Sequence, residues 1–223
     1  MKRKKWFIIL AVLFLISAFP GFSEQIAWQI VGHDIQAQTL KTEIVKYANR
    51  GFVPMGISYY DEKLFVLYLY GEGLSIKGWN LEWYLDSQEL AEGLNRNIAN
   101  GFSPSGISDT GDLFFVMYIQ TDGAQQTWNF VQTPMKPENY GILLKPTLEE
   151  SYIPVGITEM NGEFWTLMVK KESGETAQFV HLEESSAKDE AINKKIVARL
   201  KQGMLPWGLK YNGNSVMILY VRF

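Results

Sequence analysis

Three sets of residues in this chain could do chemistry. The first is a series of carboxylate pairs: Asp61 with Glu62, Asp109 with Asp112, and Glu159 with Glu163. Two carboxyl groups held about 5 to 10 Å apart can act as acid and base on a glycosidic bond. All three pairs lie in or beside hairpin turns, where acidic residues are ordinarily just solvated. The second set is the two histidines, His33 and His181. His33 follows a strand at a turn, and His181 lies inside a strand. No HExxH or comparable spacing accompanies either, so a metal site or a triad is not expected. There is no GxSxG elbow and no phosphate-binding glycine loop. The chain has no cysteine, which removes disulfides, thiolate ligands and a cysteine nucleophile. No cofactor and no metal is expected, and the sequence assigns no reaction.

The third set emerges only when the chain is laid against itself. "GFVPMGISYY" from Gly51 is nearly repeated in "GFSPSGISDT" from Gly101, then in "SYIPVGITEM" from Ser151 and "GMLPWGLKYN" from Gly203. Pro54, Pro104, Pro154 and Pro206 are 50, 50 and 52 residues apart. Constant positions in a repeat encode the scaffold, so function is sought where the copies differ. After the shared Ile57, Ile107, Ile157 and Leu209, one column reads Ser58, Ser108, Thr158 and Lys210. The next reads Tyr59, Asp109, Glu159 and Tyr211. Three hydroxyls and an ammonium converging on one point would suit an anionic or sugar-like ligand. Trp83 has no counterpart in the other copies, and an indole offers flat apolar area plus an N–H, which suits a sugar ring or a protein hot spot. The candidate ligand-binding residues are therefore Trp83, Lys210, Tyr59, Tyr211, Ser58, Ser108 and Thr158.

The elements that must position these residues follow from the same alignment. Each proline motif leads into a turn, "YDEK", "TGD", "MNGE" or "NGN", and then into a β-branched and aromatic run such as "LFVLYLY". This is hairpin chemistry. The second strand of each hairpin is apolar on both parities, with Leu64, Phe114, Phe164 and Val216 in one column and Phe65, Phe115, Trp165 and Met217 in the next. A strand covered on both faces reads this way. A third strand follows in "WNLEWYL" from Trp79, "WNFVQT" from Trp128 and "QFVHLE" from Gln178. Helical stretches lead back to the next proline. "DSQELAEGLNRNIANG" offers Asp86 or Ser87 as N-cap, an apolar face of Leu90, Leu94 and Ile98, and a stop at Gly101. The copy with Pro137, Gly141 and Pro146 should be short or broken.

The expected fold is therefore α+β: four tandem helix–strand–strand–strand repeats with corners at 51–70, 101–120, 151–170 and 203–223. The last repeat ends after its second strand, while "WQIVGHD" from Trp28 looks like a stray third strand. The expectation is a ring, propeller- or barrel-like, in which the N-terminal strand completes the last repeat and protects both edges. Trp28, Trp79 and Trp128, the four corners, and the turn glycines Gly111, Gly162 and Gly213 together resemble tandem repeats of about fifty residues from secreted bacterial proteins. Those repeats carry a Trp-bearing strand and a GYxP corner. The resemblance spans nearly the whole chain after residue 23 and implies architecture with a binding or scaffolding role; it transfers no catalytic residue.

Residues 1–23 have the layout of a signal peptide: basic "MKRKK", the apolar "WFIILAVLFLISAF", and "GFS" before Glu24. All four charged residues of this leader are basic, which leaves 17 of the 21 basic residues against 24 acidic ones, net −7. A chain so acidic has no footprint for nucleic acid. No later stretch is long and apolar enough to span a bilayer as a helix. "VMILYVRF" at the C-terminus resembles the last strand of an outer-membrane barrel, but intervening helices have no place in one. The expected protein is one 24–223 domain, exported to the periplasm or beyond. It would be a non-enzymatic binding module whose partner is an envelope protein or glycan; the alternative is a carboxylate-dependent hydrolase of envelope polysaccharide.

Overall fold

The computed structural model describes residues 26–120, 126–172, 174 and 176–223; the leader assigned to residues 1–23 lies outside them. The protein is α+β; the described residues form four α-helices and four three-stranded antiparallel sheets. In chain order the elements are β1 (Ala27–Asp34), α1 (Ala37–Ala48), β2 (Val53–Tyr60), β3 (Lys63–Tyr70), β4 (Gly78–Tyr84), α2 (Ser87–Ala99), β5 (Phe102–Asp109) and β6 (Phe114–Gln120). They continue with β7 (Gln126–Pro134), α3 (Tyr140–Glu149), β8 (Tyr152–Met160), β9 (Glu163–Lys171), β10 (Phe179–Ser186), α4 (Asp189–Leu200), β11 (Leu205–Tyr211) and β12 (Ser215–Arg222). No helix among the described residues is long and apolar enough to cross a membrane.

The sheet orders are β1-β3-β2, β4-β6-β5, β7-β9-β8 and β10-β12-β11. Each repeat is thus strand, helix, strand, strand, and the frame differs by one strand from the expected one. The N-terminal strand does not complete the last repeat: β1 pairs with β3, from Ala27 opposite Tyr70 to Asp34 opposite Lys63. The fourth repeat lacks nothing, because β10 pairs with β12. The physical reason is the helix. A strand joined to the next parallel strand needs a crossover of a dozen or so residues, and α1 to α4 supply it, leaving the hairpin strand to insert between them. The 26 residues from Trp28 to Pro54 match the 26 from Trp128 to Pro154 because both lie within one unit.

The hairpin strands β3, β6, β9 and β12 are the middle strand of each sheet, which explains their two apolar faces. Val66 to Leu69, Val116 to Ile119, Leu167 to Val169 and Val216 to Val221 are buried. Each helix covers its own sheet and also reaches the next. Leu40 and Ile44 of α1 share a core with Ile57 and Val66 of the first unit and with Leu81 and Met117 of the second. Leu90 and Leu94 of α2 do the same between the second and third units, and Tyr140 and Leu144 of α3 between the third and fourth. Ile192 and Ile196 of α4 cluster with Leu209 and Ile218 of the fourth unit and with Trp28, Val53 and Leu69 of the first. The third helix does form, ten residues long behind a short turn of 3₁₀ helix at Pro137–Asn139, with Pro146 inside it.

The first hairpin strands also meet one another: β2 packs on β5, β5 on β8, β8 on β11, and β11 on β2. The corner motif is what permits this. Each of these strands carries a bulge between proline and glycine, at Pro54/Gly56, Pro104/Gly106, Pro154/Gly156 and Pro206/Gly208. A β-carbon on Gly106 would lie 2.8 Å from the Ile57 nitrogen and 3.1 Å from Gly56 Cα. On Gly156 it would lie 2.8 Å from the Ile107 nitrogen. Both neighbours are backbone, which cannot step aside. Gly106→Ala should therefore cost about 1–3 kcal/mol by overpacking, read as a lowered midpoint in urea unfolding. An unchanged midpoint would show that the strands do not approach this closely.

Candidate functional site

The hydroxyls of the Ser58, Ser108, Thr158 and Lys210 column are each engaged at a joint between neighbouring units. Ser58 Oγ accepts the backbone N–H of Tyr211 at 2.9 Å, joining the first unit to the fourth. Ser108 Oγ accepts from Tyr59 N, and Thr158 Oγ1 from Asp109 N, each at 2.8 Å. All three hydroxyl residues are buried. Each one clasps the neighbouring unit, satisfying a backbone donor that no sheet ladder reaches. Lys210 stands at the fourth equivalent position, its side chain 14% exposed and its Nζ 3.7 Å from Glu159 Oε2. Tyr211 packs on Phe65 with ring centres 4.2 Å apart, and its hydroxyl donates to the Gly213 carbonyl. Tyr59 stacks on Phe115 at 6.1 Å.

Trp83 sits elsewhere. It lies on β4, an edge strand of its sheet, directly opposite Phe115. Trp79, Leu81 and Trp83 share one face of this strand, with Asn80, Glu82 and Tyr84 on the other, as the period of two requires. Leu81 is buried under α1, whereas Trp83, two residues nearer the strand end, is 49% exposed. A groove of about 350 Å³ wraps this edge, with Trp83, Asn80, Glu82 and Arg96 in its wall and Lys41 of α1 across from them. A smaller hollow of about 140 Å³ continues on the α1 side between Trp83, Ile35, Leu40 and Phe115. Phe115 thus links Tyr59 to the Trp83 surface, while the Ser58, Ser108, Thr158 and Lys210 column takes no part in it.

The wall of the groove is held by α2. Asp86 caps this helix by accepting from Glu89 N at 2.8 Å, and Glu89 returns the contact by accepting from Leu85 N at 2.9 Å. This reciprocal box fixes the helix start and sets Arg96 and Asn97 over the sheet. Glu82 there accepts from Arg96 at 2.7 Å, from the Tyr84 hydroxyl at 2.6 Å, and from Asn97 at 3.0 Å and Asn80 at 2.8 Å. Burial works against its charge, but the hydrogen bonds from Tyr84, Asn97 and Arg96 outweigh it and hold the carboxyl below its ordinary range. Glu183 occupies the same column of the fourth unit, opposite Ile218 as Glu82 is opposite Val116. It is bound by Arg199 at 2.7 Å and Lys195 at 3.2 Å, and despite burial those partners hold it low as well. A general acid needs its pKa raised; both of these carboxylates move the other way. Neither Glu82 nor Arg96 was picked out from sequence. The available signal was a charged residue in a column that reads Val31 and Val131 in the other two units.

The histidines have structural posts. His33 lies within β1, not after it, buried beneath α1 with its Nε2 2.9 Å from the Tyr68 hydroxyl. His181 contacts Arg199 at 2.9 Å, and burial together with that cation lowers its pKa. Among the described residues, no three His, Asp or Glu side chains gather as a metal site. No protein-family model matches the chain, and no characterised protein matches its sequence.

Burial lowers the pKa of His33 to about 4, against weaker opposing pulls from Glu43 and Asp34. The unfolded chain takes up the proton near 6.5, so the folded state binds it less readily. The associated stability is whole above about pH 6.5, drains as pH falls toward about 4, and amounts to about 3 kcal/mol. Denaturant midpoints measured from pH 7 to pH 4 should show this loss, and His33→Gln should flatten it. An equally steep fall in the variant would assign the loss to other groups.

Proposed function

We propose that this chain is an exported binding module built as a closed four-unit ring, with the groove at Trp83 as its recognition surface for an envelope protein or glycan. The closed ring is supported by the hydrogen bond from Tyr211 N to Ser58 Oγ and by the α4 core shared between the fourth and first units. Separate three-stranded sheets, each pointing outward from the strands β2, β5, β8 and β11, favour blades over one continuous barrel. Export rests on the leader sequence of residues 1–23.

The observation that carries the binding role is a half-exposed indole in a groove of about 350 Å³. Leaving so large an apolar surface in water has no structural return, because Leu81 and Tyr84 already seal that strand to its two helices. The rim supplies what an aromatic anchor needs around it: an amide in Asn80, cations in Lys41 and Arg96, and acids in Glu89 and Glu92. Glu82 is engaged by four donors and ionised, which suits a rigid wall better than proton transfer. Non-enzymatic binding is accordingly favoured over hydrolysis.

The test is a pull-down from envelope extract with the chain from Glu24 onward, with the eluate analysed for both proteins and sugars. Trp83→Ala should abolish a stoichiometric partner while moving folding stability by no more than about 0.5 kcal/mol, as expected for an exposed position. Retention of the partner by the variant would remove the groove from the reading. A bound saccharide that shortens with time would replace binding with hydrolysis.

A further inference from the structure

We propose that a second, separate site lies where the four bulges meet, and that it accepts an acetamido group. The bulge residues are Met55, Ser105, Val155 and Trp207, one from each unit, and all four line a single hollow of about 30 Å³. None of its lining residues belongs to the Trp83 groove.

Two polar atoms of this lining have no hydrogen-bond partner: Ser105 Oγ and Trp207 Nε1, both fully buried, with Ser105 as a whole 1% exposed. The same repeat position is apolar in the other two units, as Met55 and Val155. The remaining walls are mostly apolar, with Ile119, Ile153 and Val169, and also include Ser103 and Lys171. Two unmade hydrogen bonds in one apolar hollow are a standing cost to the fold that an occupant would remove.

The joint beside it is also the one that departs from the rest. Gly56, Gly106 and Gly156 each lie against a neighbouring glycine's backbone, whereas the nearest atoms to Gly208 are those of the Leu219 side chain, from 3.2 Å. Between β8 and β11 the corner therefore does not close on itself, and the Trp207 ring, 5.0 Å from that of Phe223, stands at the gap.

The chemistry narrows the occupant. The indole N–H can only donate, so the occupant must present an acceptor; the Ser105 hydroxyl can then receive a donor. A volume of this size holds about two waters, and so a group of three or four heavy atoms. An acetamido group has a carbonyl for Trp207, an N–H for Ser105 and a methyl for Ile153 and Val169. A carboxylate would offer Trp207 an acceptor but would bring no donor for the Ser105 oxygen.

The test is the ¹H–¹⁵N indole signal of Trp207, assigned by its loss in Trp207→Phe, in the chain from Glu24 onward. N-methylacetamide should shift it saturably and leave the Trp83 signal in place. N-acetylglucosamine and Nε-acetyl-lysine should each be tried as natural bearers, with glucosamine as the control lacking the group. Ser105→Ala should weaken binding about five- to tenfold, equivalent to one hydrogen bond, with a melting temperature of the free protein that does not fall. A Trp207 signal that ignores N-methylacetamide, or that answers glucosamine equally, overturns the proposal. So does a structure at high resolution in which only ordered water fills the hollow in the presence of the probe.

Discussion

The constraint on which the packing of the four units depends is the contact of backbone with backbone at the glycines of the corner motif. Gly56 lies on Gly208, Gly106 on Gly56, and Gly156 on Gly106, each at a distance where a β-carbon would fall within 3 Å of a main-chain atom. Main chain packed this closely leaves N–H groups that no ladder satisfies, and a hydroxyl two residues further along answers them in three of the four joints. The bulge after each proline supplies the extra residue that bends the strand into this approach. The helices then have a fixed span to cover, and each fills it with a core drawn from two units.

Departures from the repeat are informative in proportion to how well a neighbour explains them. Val180 stands where Trp28, Trp79 and Trp128 stand in the other units, opposite Val221 as they are opposite Leu69, Ile119 and Val169. The reason is local. Helix α3 rides so close to β10 that a β-carbon on Gly141 would fall 2.3 Å from the Val180 carbonyl, leaving no room for an indole beneath it. Gly32 is explained in the same way, since the Phe65 ring occupies the place of its side chain at 2.9 Å. Trp83 shares that column with Gly32, Gln132 and Glu184, and nothing packed around it calls for an indole.

Much of the architecture was legible because repetition inside one chain substitutes for an alignment. The hairpins, the doubly covered middle strands and the corner glycines all follow from columns of like residues. The strand pairing was misread because periodicity fixes the order of elements but not where a unit begins. A strand equally spaced between two hairpins could have paired with either, and only the crossover length of the helix decides. Lys210 shows a second limit. Its column was chosen for chemistry, yet the hydroxyls beside it are consumed by backbone donors on the neighbouring unit, a demand that appears only once those strands are brought together. Glu82 illustrates the reverse case, since its four donors come from β4 and α2 and no one-dimensional spacing gathers them.

The strands β2, β5, β8 and β11 meet in four contacts, and a fault in one of them is a place where sequence freedom and spatial need separate. Three joints have a glycine contact and a hydroxyl clasp. The fourth has Lys210 in place of the hydroxyl, Leu219 against Gly208, and Trp207 in the bulge. A lysine cannot take up the N–H that serine accepts, so this joint has instead a partly buried ion pair between Lys210 and Glu159 and the α3 core on its outer side. Were the fault a mere loss of fit, an apolar residue would close the bulge, as Met55 and Val155 do. Instead that position carries an indole whose N–H is buried and unmet, next to a serine in the same condition. Gln126 Oε1, Thr133 Oγ1 and Trp165 Nε1 are buried and unmet elsewhere, so what sets Ser105 and Trp207 apart is that both line one hollow, where polar atoms cost most because water cannot reach them.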